Sequence, residues 1–552
     1  MSRTYDDRMF IDTFEHEYTW LNGFMRNVRR YGNHTALLDP LTNRSWTYKQ
    51  LNEESNKLAN ALKADGIGKD DVVMTAMLNC PEFVFSYIGP RKIGAILNPA
   101  NFNLAAGEMA KLIDHNKPKA FMYSPDHRDM VVKAVSLAKN PPKVLIMVDN
   151  IKGIEIPENH HDYKEYVKNA SSENPKQDFT PHIYDEVLRL CTSGTTALPK
   201  SCPINDINEI LSAHDVIMQY PLEPKDVTMN MTPWFHRGGA HSGGPGPSLY
   251  VGATVTVLRN FQPKQCLKWT EELHITYLMG APSTLEMLAR TQKKHNFDLS
   301  SLRGLVTMGA PLEKKACEEY MNVLTPRIFN GYGTTETFWN SFLRPFDLPE
   351  NAGTVGGSCI DDETRVVNVY DDRKAEPDDT VAQDGETLGE IIIWSPAKGT
   401  YTYFDAPEES KKKFYSGWMY TGDLGVWDEN GYITITGRKD DMIVCAAENI
   451  YPTQVENAIL EHEKVDDCIV IGVSDKLRGQ AVAAYVKVTD PSVTAEDISA
   501  FCHSHPDLSA YKRPRYIKIT DNLPYTPTGK KKRAELRKIA EADLANGSLK
   551  RN

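Results

Sequence analysis

Between Val72 and Leu78 the chain reads VVMTAML, an apolar run broken only by Thr75. A run of this kind marks a strand buried on both faces rather than one with a wet side. It follows a stretch with a helix signature. Thr47 and Gln50 have capping-box spacing, and Leu51, Leu58 and Leu62 share one helical face that ends at Gly66. The same alternation returns through GAILNP, EVLRLCT, ATVTVL, ITYLMG and LRGLVTMG. Strand–helix–strand repetition predicts α/β architecture, with parallel sheets covered by helices. The segment 151–180 is polar and reads as a loop.

Near residue 350 the texture changes. RVVNVYDD, GEIIIW, GVWDENGY and YITITG are short strands divided by turns such as Glu-Asn-Gly, which predicts a β-rich subdomain. From about residue 441 a fresh helix–strand pattern appears in PTQVENAILEH, VDDCIVIGV and AVAAYVKV, as in a small α+β domain.

The 552 residues are enough for three or four structural units. A net charge of −11 argues against a nucleic-acid-binding surface as the main business of the chain. The nine cysteines are scattered, odd in number and without a CxxC pair, so a disulfide framework or structural zinc site is not expected. That usage fits a reducing compartment, and a cytoplasmic location is the expectation. The N-terminus lacks an apolar signal core, and no apolar window approaches the roughly 20 residues of a membrane-spanning helix.

The chemistry concentrates in LCTSGTTALPKSCPI, residues 190–204. Thr192, Ser193, Gly194, Thr195 and Thr196 supply small donors directly after an apolar strand, and Lys200 adds a point charge. Small residues let backbone amides approach an anion, so the stretch suits phosphate. A polar surface loop is the competing reading. The Walker pattern GxxxxGK[ST] is absent.

TSGTTALPK resembles the phosphate loop of the adenylate-forming superfamily: acyl-CoA synthetases, peptide-synthetase adenylation domains and luciferases. Four more motifs follow in the family order: PWFH at 233–236, NGYGTTET at 330–337, YTGDLGVWDENGYITITGRKDD at 420–441 and PYTPTGK at 524–530. The resemblance spans about residues 30–540. It implies a carboxylate attacking the α-phosphate of ATP to give an acyl-adenylate, followed by displacement of AMP by a thiol.

The resemblance also implies roles. Thr192 to Lys200 would hold the β- and γ-phosphates. Gly309, Ala310 and Pro311, with Tyr332, would enclose adenine, and Gly331, Gly333 and Thr334 belong to the same nucleotide-binding turn. Thr335 would contact the α-phosphate and Glu336 would bind Mg²⁺. Asp423 would accept both ribose hydroxyls beside Arg438. Lys530 would reach the α-phosphate and the substrate carboxylate, although GKKKR alone reads as a solvated basic face. Asp440 stands at the family's hinge. This gives an adenylation domain over 1–439, with its β-rich part at about 350–439, and a mobile domain over 440–552.

The sequence departs from the pattern at Ala197 and Ser201, where the family has glycine, and at Ala446 and Ala447, which border the expected pantetheine path of CoA. The acyl pocket is expected around Asn330 and after His236, its gate. Arg237 is a candidate partner for the second carboxylate of a diacid, with a surface ion pair as the plainer reading. Gly238 and Gly239 open FHRGGAHSGGPGPS, where missing side chains leave room for a ring or mark a flexible loop. Trp339, Phe338 and His241 are candidates for a ring wall.

The expected function is therefore ATP-dependent CoA ligation of an aromatic or alicyclic acid, with reversal toward ATP left open. The alternatives are a medium-chain fatty acyl-CoA synthetase, a free-standing adenylation enzyme that loads a carrier protein, and a non-catalytic nucleotide-binding protein. Monomer and homodimer both stay open.

Overall fold

The computed structural model describes residues 6–551 except 193–199, 311, 371, 446–447, 476–478, 506–507, 509, 511 and 527–529. The chain divides into two compact units. One comprises residues 1–308, 312–363 and 394–419, the other 309–311, 364–393 and 420–552.

The first unit is built on two helix-covered sheets. The seven-stranded sheet runs, in spatial order, His161–Asp162, Val144–Met147, Ala120–Tyr123, Val72–Ala76, Ile96–Pro99, Glu186–Cys191 and Ser201–Asn205. All neighbours are parallel except the last pair, which forms an antiparallel hairpin with Cys191 opposite Ser201. The apolar run at Val72 is the central strand, buried at every position, as a parallel strand covered on both faces must be.

The nine-stranded sheet places Ile328–Thr334 beside Gly304–Met308 and follows it with the antiparallel return Phe338–Leu343. The capping box forms as its spacing predicts. Thr47 accepts from the Gln50 amide, the Gln50 side chain returns to the Thr47 amide, and the helix Tyr48–Ala64 follows. That helix joins Trp20, Phe24, Phe83, Ile88 and Val255 in one apolar core.

The segment 151–180 differs from the loop expected of it. It holds an edge strand, His161–Asp162, and a short helix, Tyr163–Val167, that Asp162 caps. Tyr163 and Val167 are buried, so two apolar anchors overrode the polar composition.

In the second unit, residues 423–427 pair antiparallel with Ile433–Arg438, setting Asp423 opposite Arg438. Beyond it, Val465–Asp475 and Gly479–Val488 form a long hairpin. Its two faces alternate. Val470 and Val482 pack with the helices Pro452–Leu460 and Ala495–Ser504, whereas Ile471 and Tyr485 pack with Arg533–Asn546. The expected hinge lies within this unit, in the 3₁₀ turn Lys439–Asp441. Among the described residues, no helix is long and apolar enough to cross a membrane.

Candidate functional site

In the first unit, the hairpin Glu186–Cys191/Ser201–Asn205 carries the phosphate-loop motif at its tip. Its root is closed by the Thr192 amide, which donates to the Lys200 carbonyl at 2.8 Å. Ser193, Gly194, Thr195, Thr196 and Ala197 lie outside the described residues. The ammonium of Lys200 sits 2.7 Å from Glu409 Oε2 and 5.1 Å above the ring centre of Tyr403.

The NGYGTTET motif ends Ile328–Thr334 and turns into Phe338–Leu343. A Cβ on Gly333 would lie 1.6 Å from the Phe338 carbonyl oxygen, so only glycine permits so close a turn. Asn330 is buried and donates to the Thr354 carbonyl at 3.3 Å, and Tyr332 is buried too. The hydroxyls of Thr334 and Thr337 are 3.0 Å apart across the turn.

At its apex Glu336 accepts a 2.5 Å hydrogen bond from the Tyr403 hydroxyl. Burial, and then the Glu336 charge, hold the Tyr403 hydroxyl well above the usual tyrosine range, so it stays a donor. Glu336 also fits a metal carried in by phosphates. One hard carboxylate, with phosphate and water oxygens completing the shell, is how Mg²⁺ is usually bound. Among the described residues there is no cluster of three or more potential metal-ligating side chains that would form a resident cage.

His236, half-buried against the Phe235 ring at 4.1 Å, accepts from the Gly239 and Ala240 amides through its carbonyl and so starts the helix Arg237–His241. The residues after it overturn two expectations. Arg237 is neither exposed nor directed at a diacid. It is 3 % exposed and donates to the carbonyls of Thr335 (2.8 Å) and Lys398 (2.6 Å) and to Ser212 Oγ (3.2 Å). Burial pushes its pKa down to about 10.

Nor do the glycines leave ring-sized space. A Cβ on Gly239 would lie 2.0 Å from the Pro233 carbonyl oxygen, and one on Gly238 2.9 Å from Met308 Sδ. Both sit in one short helix, Arg237–His241, where Gly239 packs on backbone and Gly238 on a side chain, and not in a flexible loop. Trp339 does lie beside the motif. A Cβ on Gly331 would lie 2.7 Å from its Nε1, and its ring stacks on Phe338 at 4.7 Å within a cluster that includes Tyr220, Phe329 and Phe342. His241 is 5.7 Å from the Phe338 ring, but its Nε2 is committed to buried Glu209.

In the second unit, Arg438 stands 3.5 Å from Asp423 Oδ1, and the Asp423 amide donates to Thr421 Oγ1 at 2.9 Å. Gly309 has φ +86°, the left-handed turn that ends Gly304–Met308; Pro311 is outside the described residues, as are Ala446 and Ala447. Lys530 is exposed at the end of a hairpin whose Thr526 hydroxyl accepts from the Lys530 amide at 3.0 Å. Of its basic neighbours only Lys532 is a solvated residue. Lys531 and Arg533 pair with buried Glu456, and Lys532 pairs with Glu535. Sequence reasoning missed Tyr403, Glu409 and Lys398. None lies in a quoted motif, and Tyr403 is 67 residues from Glu336.

Comparison with known proteins identifies the family. The model of the AMP-binding enzyme family matches residues 24–402, and that of the AMP-binding enzyme C-terminal domain matches 454–530. A medium-chain fatty-acid–CoA ligase of Escherichia coli (strain K12) is 30% identical over 90% of this chain and 86% of its own length. A 4-chlorobenzoate–CoA ligase of Arthrobacter sp is 28% identical over 93% of each chain. A fatty acid–[acyl-carrier-protein] ligase of Streptomyces coeruleorubidus is 28% identical over 90% of this chain and 91% of its own. The crystal structure of an anthranilate CoA ligase in complex with anthranoyl-AMP shares the fold, with a TM-score of 0.84 and 24% identity over 96% of this chain and 98% of that one. The chain belongs to the AMP-binding enzyme family and is an AMP-forming acid–thiol ligase.

Proposed function

We propose that the protein ligates CoA to a compact cyclic carboxylic acid, aromatic or alicyclic, through an acyl-adenylate. The observation that carries the substrate class is Trp339 laid against the Gly331 backbone and stacked on Phe338. Both rings are buried, so in this reading they are not a free stacking face but a rigid aromatic backing behind Gly331 that bounds the space for the acid. The 4-chlorobenzoate relative supports this reading, and the medium-chain relative supports the linear alternative.

In this reading a carboxylate oxygen of the acid attacks the α-phosphorus, the bond to the bridging oxygen breaks, and pyrophosphate leaves. Thr192 to Lys200 hold the β- and γ-phosphates, Thr335 contacts the α-phosphate, and Lys530 offsets charge developing on it. Glu336 would hold Mg²⁺, which supplies charge neutralisation between phosphate oxygens. Gly309, Ala310, Pro311 and Tyr332 take adenine, and Asp423 accepts from the ribose hydroxyls with Arg438 beside it. The small domain then turns about Asp440, with Ala446 and Ala447 along the pantetheine path. The CoA sulfur attacks the acyl carbon, and AMP leaves. His236 gates the acid.

Pyrophosphate release across benzoate, cyclohexanecarboxylate, hexanoate and a C16 acid, with and without CoA, tests this. The cyclic acids are expected to lead, with thioester formed only when CoA is present. Preference for hexanoate would move the reading to a medium-chain ligase. Adenylate formed without transfer to CoA would move it to loading of a carrier protein.

A further inference from the structure

The segment between Thr400 and Glu409 belongs to none of the recognised motifs, yet it reaches two of their charged groups at once. It is fastened along the phosphate-loop hairpin. The Phe404 amide donates to the Ser201 carbonyl and the Thr400 hydroxyl to the Pro203 carbonyl, both at 2.8 Å. The guanidinium of Arg189, on the partner strand of that hairpin, lies 3.6 Å above the Phe404 ring. The segment therefore moves with the hairpin.

Tyr403 is the residue this anchoring fixes most firmly. Its amide donates to Ser410 Oγ at 2.9 Å, its ring lies 5.7 Å from that of Phe414, and it is 3 % exposed. A ring so held has one direction for its hydroxyl, which is spent on Glu336 Oε1 at 2.5 Å. The face of the same ring lies under the Lys200 ammonium at 5.1 Å, within cation–π range. Lys200 is then restrained from the side by Glu409 at 2.7 Å.

We propose that Tyr403 is a positioning residue for magnesium–ATP: it sets the carboxylate of Glu336 and the ammonium of Lys200 at a fixed separation, one by its hydroxyl and the other by its ring. The inference rests on the reading of Glu336 as the metal-binding carboxylate. A metal bridging phosphates and a cation on those phosphates must match one another in spacing, and preorganising both removes ordering cost from nucleotide binding. The two halves of Tyr403 are separable by mutation. Y403F keeps the ring and loses the hydroxyl, whereas Y403L loses both.

The test is ATP binding by calorimetry, without acid or CoA, in EDTA and across a magnesium titration, on wild type, Y403F, Y403L, E336Q and the double variant Y403F/E336Q. Circular dichroism and melting temperature check that each is folded. For Y403F, the magnesium concentration giving half-maximal tightening of ATP binding is expected to rise about tenfold, as for the loss of one hydrogen bond to a charged group. Its binding in EDTA is expected to match wild type. Y403L is expected to weaken binding in EDTA as well, through Lys200. In the E336Q background, Y403F is expected to add nothing to the magnesium dependence.

A merely structural tyrosine would lower binding equally with and without magnesium, and that result overturns the proposal; so does a Y403F that changes neither. The two readings fail in different ways. If E336Q abolishes the magnesium dependence while Y403F leaves it intact, only the positioning role falls. If E336Q leaves the dependence unchanged, the metal role of Glu336 falls and takes the proposal with it.

Discussion

The guanidinium of Arg237 donates to the main-chain carbonyl of Thr335 at 2.8 Å, from beneath the turn that carries Glu336. The same side chain reaches Ser212 and the Lys398 carbonyl. Lys398 is itself buried between Asp215 (2.8 Å) and Asp362 (2.6 Å). The turn that carries Glu336 thus rests on a buried, charged platform rather than on apolar packing alone.

Arg237→Met keeps much of the volume and removes every donor. Two buried oxygens and one part-buried oxygen lose a partner, and an unmade buried hydrogen bond costs about 1–3 kcal/mol. Because relaxation recovers part of this, a net loss of about 2–4 kcal/mol is expected. The loosened turn is expected to raise the KM for ATP in pyrophosphate exchange. Chemical denaturation and ATP-dependent kinetics check both. The ratio of rates on a monoacid and its matching diacid is expected to stay unchanged; a selective loss of diacid activity would return Arg237 to the substrate pocket.

Gly239→Ala is expected to harm folding rather than specificity. Its Cβ would lie 2.0 Å from the Pro233 carbonyl oxygen, a backbone atom that cannot swing aside. Overpacking a close site of this kind typically costs about 1–3 kcal/mol. A lower melting temperature and a parallel loss of kcat/KM on cyclohexanecarboxylate and butyrate are the expected readouts. Loss confined to the cyclic acid would revive the idea that the missing side chain makes room for a ring.

Lys530→Ala separates the two half-reactions. Lys530 is exposed at its hairpin, while the neighbouring Lys531 and Arg533 are committed to Glu456. Removing one charge contact from the adenylation step is expected to slow it about 10²- to 10³-fold, by analogy with an oxyanion donor. Thioester formation from supplied acyl-AMP is expected to be spared. Equal loss in both assays would assign Lys530 a structural role.

Legibility of the sequence followed the range of the forces involved. The strand at Val72 was readable because a parallel strand covered on both faces has to be apolar throughout. The capping box at Thr47 and Gln50 was readable because it is closed within four residues. The glycines after His236 were ambiguous in principle. A missing Cβ looks the same in sequence whether it opens a cavity or admits a neighbouring carbonyl, and here it admits Pro233. Arg237 was misread because its acceptors, Thr335 and Lys398, arrive from distant parts of the chain. Tyr403 left no local signal at all, since its role comes from contacts with Glu336 and Lys200.

Away from the site, Glu82 offers a test of burial energetics. It sits in the first turn of the helix Pro81–Lys92, 3 % exposed, and its Oε2 has no hydrogen-bond partner among the described residues. Burial first, and then the nearby charge of Asp149, push its carboxyl up to about 7, with Arg44 and Arg259 opposing. The folded chain therefore holds this proton over a range where the unfolded chain, with a carboxyl near 4.3, has released it. The stability Glu82 contributes is full below about pH 4.3 and is lost as pH rises to about 7. Glu82→Gln has nearly the same shape and no proton to lose. Relative to wild type it is expected to gain stability with rising pH, by about 3–4 kcal/mol across that window, and to gain no more above it. Melting temperatures of both proteins from pH 4.5 to 8 check this. A difference that does not vary with pH would mean that Glu82 keeps its solution pKa and has found a partner for its charge.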